Sequence, residues 1–403
     1  MTKTVVVLGA GTGGTMAANL LRKRLGRDAR VVVVGENGEH VFQPANLDVA
    51  FKGARPERSV HAQRPLLARG IELATTGAAR IDPGQRIVAL QDGRELAYDA
   101  LVLATGAIAD PTLMPGLAES SLNFHTGPRD AERIWRALGA IQLPGSGAYR
   151  VVVAIAGVPY KCPPSPVEAV FLLDEHFRRR GLRPRVEIAL ATPYPRAYPA
   201  EPISDVVAPR LAERGIVVRT LFNMDGVDAA KKVIYSLEGE EIPYDLLIAI
   251  PPHRGAAVIK TSGLGDADGF VPTDKETMRV VGHDDIFALG DATAIPISKS
   301  GVVAHLEAGV VAENVTRFLR GEPGARAFEG RINCPMEVGG HEALFVSATY
   351  ERPARKQRPN VVRYAMKKTF GHMYWRSLKG QYEWIFRPYF GRTSHEKPPP
   401  ARE

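Results

Sequence analysis

Two cysteines in 403 residues are too few for a disulfide framework, and Cys162 and Cys334 stand too far apart for the paired spacing of a zinc ribbon. No metal site is expected. No stretch approaches the roughly 18 consecutive apolar residues that cross a bilayer as a helix, so no membrane-spanning helix is expected. The N-terminus passes straight into a strand-like run, without the charged n-region, apolar h-region and cleavage site of a signal peptide. A signal peptide is therefore not expected. A charge excess is also missing from most of the chain. Residues 351–403 hold 13 Lys and Arg against 4 Asp and Glu, which leaves 39 against 40 for residues 1–350 and puts the whole net charge of +8 in the tail.

What is present is enough apolar sequence, 45%, for more than one core, so two or three packed units are expected. Residues 4–8 form a short apolar run, followed by Gly9-Ala-Gly11-Thr-Gly-Gly14 and an amphipathic stretch from Met16 to Leu25. This is strand, glycine turn and helix. Gly9, Gly11 and Gly14 let the backbone approach a pyrophosphate, whose charge meets the amides and dipole at the helix N-terminus. A second β run, Ala29 to Val34, follows at βαβ spacing and ends in Gly35-Glu36, where Glu36 would accept hydrogen bonds from a ribose. His40-Val-Phe-Gln-Pro44-Ala-Asn46 then reads as a loop suited to the edge of an isoalloxazine ring, with Pro44 and Asn46 as contacts. Residues 71–91, including Ala78, read as a small β insertion with turns at Pro83-Gly84 and Asp92-Gly93. Tyr98 to Gly106 reads as a buried strand ending in the small-residue turn Ala104-Thr105-Gly106.

Tyr149 to Ile155 reads as a strand, Pro166 to Arg180 as a helix and Val186 to Ala191 as a strand, the start of a second βαβ unit. Residues 204–214 read as a helix and Gly215 to Leu221 as a strand, with Val233 to Tyr235 and Tyr244 to Ile250 as closing strands. A nicotinamide-binding unit needs GxGxxG after its first strand, yet here Ala156-Gly157-Val-Pro-Tyr160-Lys161-Cys162 offers one glycine. A tight NAD(P)H site is not expected. The loop instead presents Cys162 beyond the carboxyl end of a strand, where ligands of open α/β units bind. Lys161 and the following helix N-terminus are expected to favour the thiolate. A degenerate structural domain and two unrelated buried thiols are the plain alternatives. Beyond a linker at Gly321 to Gly324, a C-terminal unit holds Cys334, strand-like runs at Ala343 to Ser347 and Asn360 to Tyr364, and a basic-aromatic segment from Tyr364 to Phe390. Residues 393–403 read as disordered.

Ala104-Thr105-Gly106 and Asp285-Ile-Phe-Ala-Leu-Gly290-Asp291-Ala292 resemble the two FAD segments of the two-dinucleotide-domain flavoproteins. Gly157-Val-Pro-Tyr-Lys-Cys162 with Glu168, Ile250-Pro-Pro-His253-Arg254-Gly255, Lys299-Ser300-Gly301 and Cys334 resemble more specifically the sulfide:quinone oxidoreductases. The resemblance implies an α/β fold with two Rossmann-like dinucleotide-binding domains, an FAD domain and a degenerate NAD-like domain, and a C-terminal membrane-docking region. The FAD domain would take residues 1–110 and 256–325, the NAD-like domain 111–255 and the quinone and membrane-interface region 326–403.

It also implies FAD as cofactor, held by Gly9, Gly11, Gly14, Glu36, Pro44, Asn46, Ala78, Ala104, Thr105, Gly106, Gly290, Asp291, Lys299 and Gly301. Cys162 and Cys334 would form a redox pair, with Glu168 handling a proton. Sulfide would attack the pair, and electrons would pass through the flavin to a quinone held by Phe345, Lys379 and Tyr382 on the face opposite the cysteines. Relatives often have a third cysteine after the Ala-Thr-Gly turn, and some attach FAD through a cysteine near residue 40; this chain has neither, so FAD is expected to be non-covalent. The expected partners are sulfide, a membrane quinone and a membrane surface that Lys367, Lys368 and the tail aromatics would touch peripherally. Nucleic acid is not expected, and a homo-oligomer remains an option. The alternatives are the flavoprotein subunit of a cytochrome-linked sulfide dehydrogenase and a type II NADH:quinone oxidoreductase.

Overall fold

The computed structural model describes residues 2–381. Tyr382, the later aromatics Trp384, Phe386, Tyr389 and Phe390, and the segment 393–403 lie outside the described residues. The elements that position the site begin with β1 (Lys3–Leu8), α1 (Thr12–Leu25), β2 (Ala29–Val34), α2 (Asn46–Lys52), β3 (Ile71–Ala74) and β4 (Ala100–Leu103). Next come β5 (Tyr149–Ile155), α3 (Ser165–Arg179), β6 (Val186–Ala191), β7 (Ile216–Arg219) and β8 (Leu246–Ile250). The chain then supplies β9 (Ile286–Ala288), α4 (Gly301–Arg320), β10 (Ile332–Glu337), β11 (Ala343–Ala348) and α5 (Val361–Ser377).

One sheet has the order β9-β4-β1-β2-β3 and another β7-β6-β5-β8, with every pairing parallel. Val5 to Val7 and Val151 to Val153 are buried because both faces of each sheet are covered, which is why these strands read as unbroken apolar runs. In each sheet the first strand is flanked on both sides, and a crevice opens beyond its carboxyl end where the strand order reverses. The loop at Gly9 leaves β1 at one such point, and the loop from Gly157 to Cys162 leaves β5 at the other. β10 and β11 form an antiparallel hairpin in which Cys334 faces Val346 and Pro335 faces Phe345.

Three local expectations are corrected. Ile71–Ala74 joins β2 in the parallel sheet, and only Ala78–Asp82, Ile87–Leu90 and Glu95–Ala97 make the meander. Val233–Ser236 belongs to a separate antiparallel sheet with Met224–Asp228 and Glu241–Pro243. Short strands carry too little pattern to name their partners. Asn360 to Tyr364 is not a strand. The Asn360 side chain accepts from the backbone N of Arg363 at 2.9 Å and starts α5, so a good helix cap outweighs the β-branched pair Val361-Val362.

α5 is fastened to the glycine-loop side of the first sheet. Tyr374 Oη lies 2.6 Å from Thr12 Oγ1 and 2.7 Å from His40 Nε2, and its ring packs on Phe42 with centroids 4.3 Å apart. Trp375 stacks on His61 at 3.8 Å, and Asn19 donates to the carbonyl of Leu378 at 2.7 Å.

Candidate active site

A cavity of about 380 Å³ opens at the crevice above β1. Its wall brings together Gly9, Gly11, Glu36, Pro44, Ala78, Ala104, Thr105, Gly106, Gly290, Asp291 and Gly301, drawn from segments almost 300 residues apart. Gly14, Asn46 and Lys299 are not in the wall. Gly14 serves packing, because a Cβ there would sit 1.9 Å from the carbonyl oxygen of Gly9. Lys299 braces the wall from behind, donating to the carbonyls of Thr293 at 2.7 Å and Asp291 at 3.2 Å.

The residues present fit a dinucleotide cofactor. A Cβ on Gly11 would meet no protein atom within 4 Å and would project into the cavity, so the missing side chain leaves room for a ligand rather than for the protein. Thr105 Oγ1, Asp291 Oδ1 and Asn46 Oδ1 are buried without a hydrogen-bond partner. Buried polar groups of this kind are ordinarily satisfied. Three at one site match a ligand carrying hydroxyl and amide groups.

Glu307, which sequence reasoning missed, holds the second cofactor segment: its Oε2 accepts from the backbone N of Gly290 at 2.6 Å. Burial raises its carboxyl from an ordinary 4.5 to about 8. Between those values the folded chain keeps a proton that the unfolded chain has lost, so stability falls as pH rises through the window, by up to about 1.4 kcal/mol per pH unit. Glu307→Gln should remove that decline. Thermal midpoints measured across the window should then flatten relative to the parent chain, and an unchanged slope would refute the assignment.

The two thiols are tied to the cavity by one segment, Ser298 to Gly301. The backbone N of Cys162 donates to the carbonyl of Lys299 at 2.7 Å. Cys334 Sγ lies 3.4 Å from Ser300 Oγ and 3.8 Å from Ser298 Oγ. Gly301, the next residue, opens α4 and lines the cavity. Both thiols are free.

Burial pushes the Cys162 thiol up to about 11; the nearby Cys334 adds to the rise, while Lys367 and Ser165 oppose it. Burial also raises Cys334, against the pull of Ser300 and Ser298. The expected help from Lys161 is absent: its ammonium is buried, disfavoured by that burial, and 3.5 Å from the carbonyl of Ala107. The cation that favours the Cys162 thiolate is Lys367 of α5. Around the pair stand Tyr160, Tyr194 and Tyr198, all held in the phenol form by burial. Ser165 links to a buried histidine pair: His125 Nε2 is 3.1 Å from Ser165 Oγ, and His125 Nδ1 is 3.4 Å from His253 Nε2. Burial keeps both rings neutral, His253 at about 3.

Glu168, on the first turn of α3, is 2% exposed and forms an ion pair with Lys367. Lys367 and Lys368 are therefore not the free surface cations expected of a membrane contact; Lys368 pairs with Asp48 at 3.1 Å. The spacing of Asp48 and Lys52 hinted at an ion pair, but nothing local in the sequence announced that α2 and α5 would meet. Phe345 is buried on β11, and Lys379 is exposed just past the end of α5. No described helix is long and apolar enough to cross a membrane.

Known proteins resemble this chain along most of its length. The mitochondrial sulfide:quinone oxidoreductase of Mus musculus is 23% identical over 391 residues, covering 93% of this chain and 86% of the relative. The sulfide-quinone reductase of Aquifex aeolicus is 26% identical over 369 residues, covering 86% and 83%. The crystal structure of the Aquifex aeolicus sulfide:quinone oxidoreductase superposes with a TM-score of 0.85 at 23% identity, covering 96% of this chain and 95% of that one. The resemblance drawn from the cysteine and proline segments is thus matched by whole-chain similarity. The family model described as pyridine nucleotide-disulphide oxidoreductase matches residues 3–310, most of the chain, and the chain belongs to that family.

Proposed function

We propose that the chain oxidises sulfide at Cys162 and Cys334 and delivers the electrons through FAD to a quinone. The observation that carries this reading is the Ser298–Gly301 segment, which holds both thiols and forms part of the cofactor cavity. The similarity to named sulfide:quinone oxidoreductases supports it.

In the oxidised pair the two sulfurs are joined directly or through bridging sulfur. A sulfide anion attacks one of them; the S–S bond breaks, a persulfide forms on one cysteine, and the other leaves as thiolate with the bonding electron pair. FAD supplies a two-electron acceptor beside the pair, and quinone takes the electrons onward. Ser298 and Ser300 offer hydroxyls to a thiolate at Cys334. Lys367 offsets charge at Cys162, and Glu168 beside it manages the proton released.

The quinone is assigned to Phe345, Lys379 and Tyr382 at the C-terminal end, and the basic-aromatic tail to a membrane surface. Sulfide should bleach the flavin band of the purified protein and NADH should not, since Gly157 is the only glycine in the loop after β5. Bleaching by NADH alone would sink the reading. FAD is non-covalent, because neither cysteine lies in the loop from His40 to Asn46. Acid precipitation should leave the yellow chromophore in the supernatant; colour in the pellet contradicts this. Removing residues 382–403 should abolish binding to anionic vesicles and quinone turnover in them while sulfide still bleaches the flavin. Full vesicle-bound turnover in the shortened chain would leave the tail no such role.

A further inference from the structure

Oxidising a bound sulfide anion to zero-valent sulfur removes two electrons and one proton. The electrons have a route through the cofactor, but the proton starts in a buried place. Among the described residues, ion-paired side chains run outward from beside Cys162. Glu168 contacts Lys367, whose Nζ is 3.6 Å from Glu337 Oε2. Glu337 accepts from Lys52 at 2.7 and 2.9 Å and lies 3.7 Å from Lys368. Lys52 and Lys368 each reach Asp48 at 3.1 Å. Side-chain exposure climbs along this series, from 2% at Glu168 and Glu337 through 18% at Lys367, 22% at Lys52 and 30% at Lys368 to 39% at Asp48.

Four separate elements, α2, α3, β10 and α5, converge to build the series. As a stability device it is a poor choice, since burying charges costs about as much as their pairing returns. As a path, it connects a buried sulfur site to water through groups that both donate and accept protons.

We infer that the chain Glu168–Lys367–Glu337–Lys52/Lys368–Asp48 is the exit for the proton released when sulfur is oxidised at Cys162, with Lys367 as its gate. The inference rests on the proposed function. Lys367 faces Cys162 from the β5 loop, Glu168 from α3, Glu337 from β10, Asp48 and Lys52 from α2, and Lys368 beside it on α5. Burial, with Lys368 and Lys52 adding to it against Asp48 and Cys162, brings its ammonium down to about 7. An amine so poised takes and passes a proton at neutral pH.

Lys367→Arg separates this role from simple charge. Arginine keeps a cation between Glu168 and Glu337 but does not give up its proton. Stopped-flow bleaching of the flavin by sulfide should follow an ionisation near pH 7 in the parent protein. In Lys367→Arg that ionisation should vanish and the rate should fall roughly 100-fold, with a pH-indicator dye showing proton release delayed to the same extent. Nitrogen-15 lysine NMR, which needs no turnover, should show one ammonium titrating near pH 7 in the parent that is missing from the variant. Parental rates and pH profile in the variant, or no such lysine signal, overturn the proton exit while leaving the sulfide reading intact. If sulfide fails to bleach the parent protein, the proposed function falls and the exit falls with it. Should Lys367→Arg not fold, Glu337→Gln decides: it interrupts the series away from the thiols and should slow bleaching roughly tenfold, and a parental rate overturns the proposal.

Discussion

Cys162→Ser and Cys334→Ser are each expected to lose sulfide-driven flavin bleaching by roughly 10³-fold or more, with the flavin still bound and the fold unchanged. A serine oxygen is a poor nucleophile at neutral pH and forms no bond equivalent to a persulfide or a disulfide, so neither variant retains a route for sulfur. The replacement is nearly isosteric. Cys334 sits in a closely packed apolar cluster with Met336, Val338 and Val346, and its partners Ser298 and Ser300 accept a hydroxyl as readily as a thiol. Because the two cysteines act as one unit, the double variant should be no slower than either single one. Stopped-flow bleaching with flavin content measured in parallel tests this. Near-parental bleaching in either single variant would remove that cysteine from the reaction, and a double variant much slower than both would show that they act independently.

The parts of this site legible in the sequence are those whose function depends on local backbone. Gly9, Gly11 and Gly14 announce themselves by spacing, because a tight turn between a strand and a helix has few solutions. Ala104-Thr105-Gly106 and Gly290-Asp291 are similarly compact, and the structure gathers all but Gly14 of these into one cavity wall. Cys162 stood out because it occupied a loop whose usual occupants were missing.

What remained hidden depends on contacts distant in sequence. Lys161 adjoins Cys162 and was the obvious cation for its thiolate, but chain adjacency is not proximity: the ammonium turns to the carbonyl of Ala107, and the role passes to Lys367, more than 200 residues on. The tail lysines 367 and 368 looked like membrane contacts because charge runs are usually solvated. Their partners, Glu168, Asp48 and Glu337, sit on three other elements, and no local pattern encodes that meeting. Tyr374 is a further case, an aromatic residue of the tail whose hydroxyl meets Thr12 inside the glycine loop.

The glycine loop yields the other large effect, and two of its members separate cofactor binding from folding. Gly14→Ala places a methyl 1.9 Å from the carbonyl of Gly9, a backbone atom that cannot move without opening the turn; Gly9 itself, at φ +113°, is already pressed against the carbonyl of Ala104. Overpacking of this severity costs about 3 kcal/mol, so Gly14→Ala should melt early and purify with little flavin. Gly11→Val is different. The backbone at Gly11 has φ −75°, open to any residue, and its Cβ meets no protein atom within 4 Å. The fold should lose only the roughly 1 kcal/mol that separates valine from glycine at a helix cap. The valine methyls, however, fill the wall where a pyrophosphate must approach the amides of α1, so flavin affinity should fall by at least about 100-fold, equivalent to about 2.7 kcal/mol. Gly11→Val should therefore be colourless yet cooperative in its melting, and Gly14→Ala both pale and unstable. A yellow, fully loaded Gly11→Val would mean that the cofactor phosphates do not lie on this loop, and the cavity above β1 would lose its assignment.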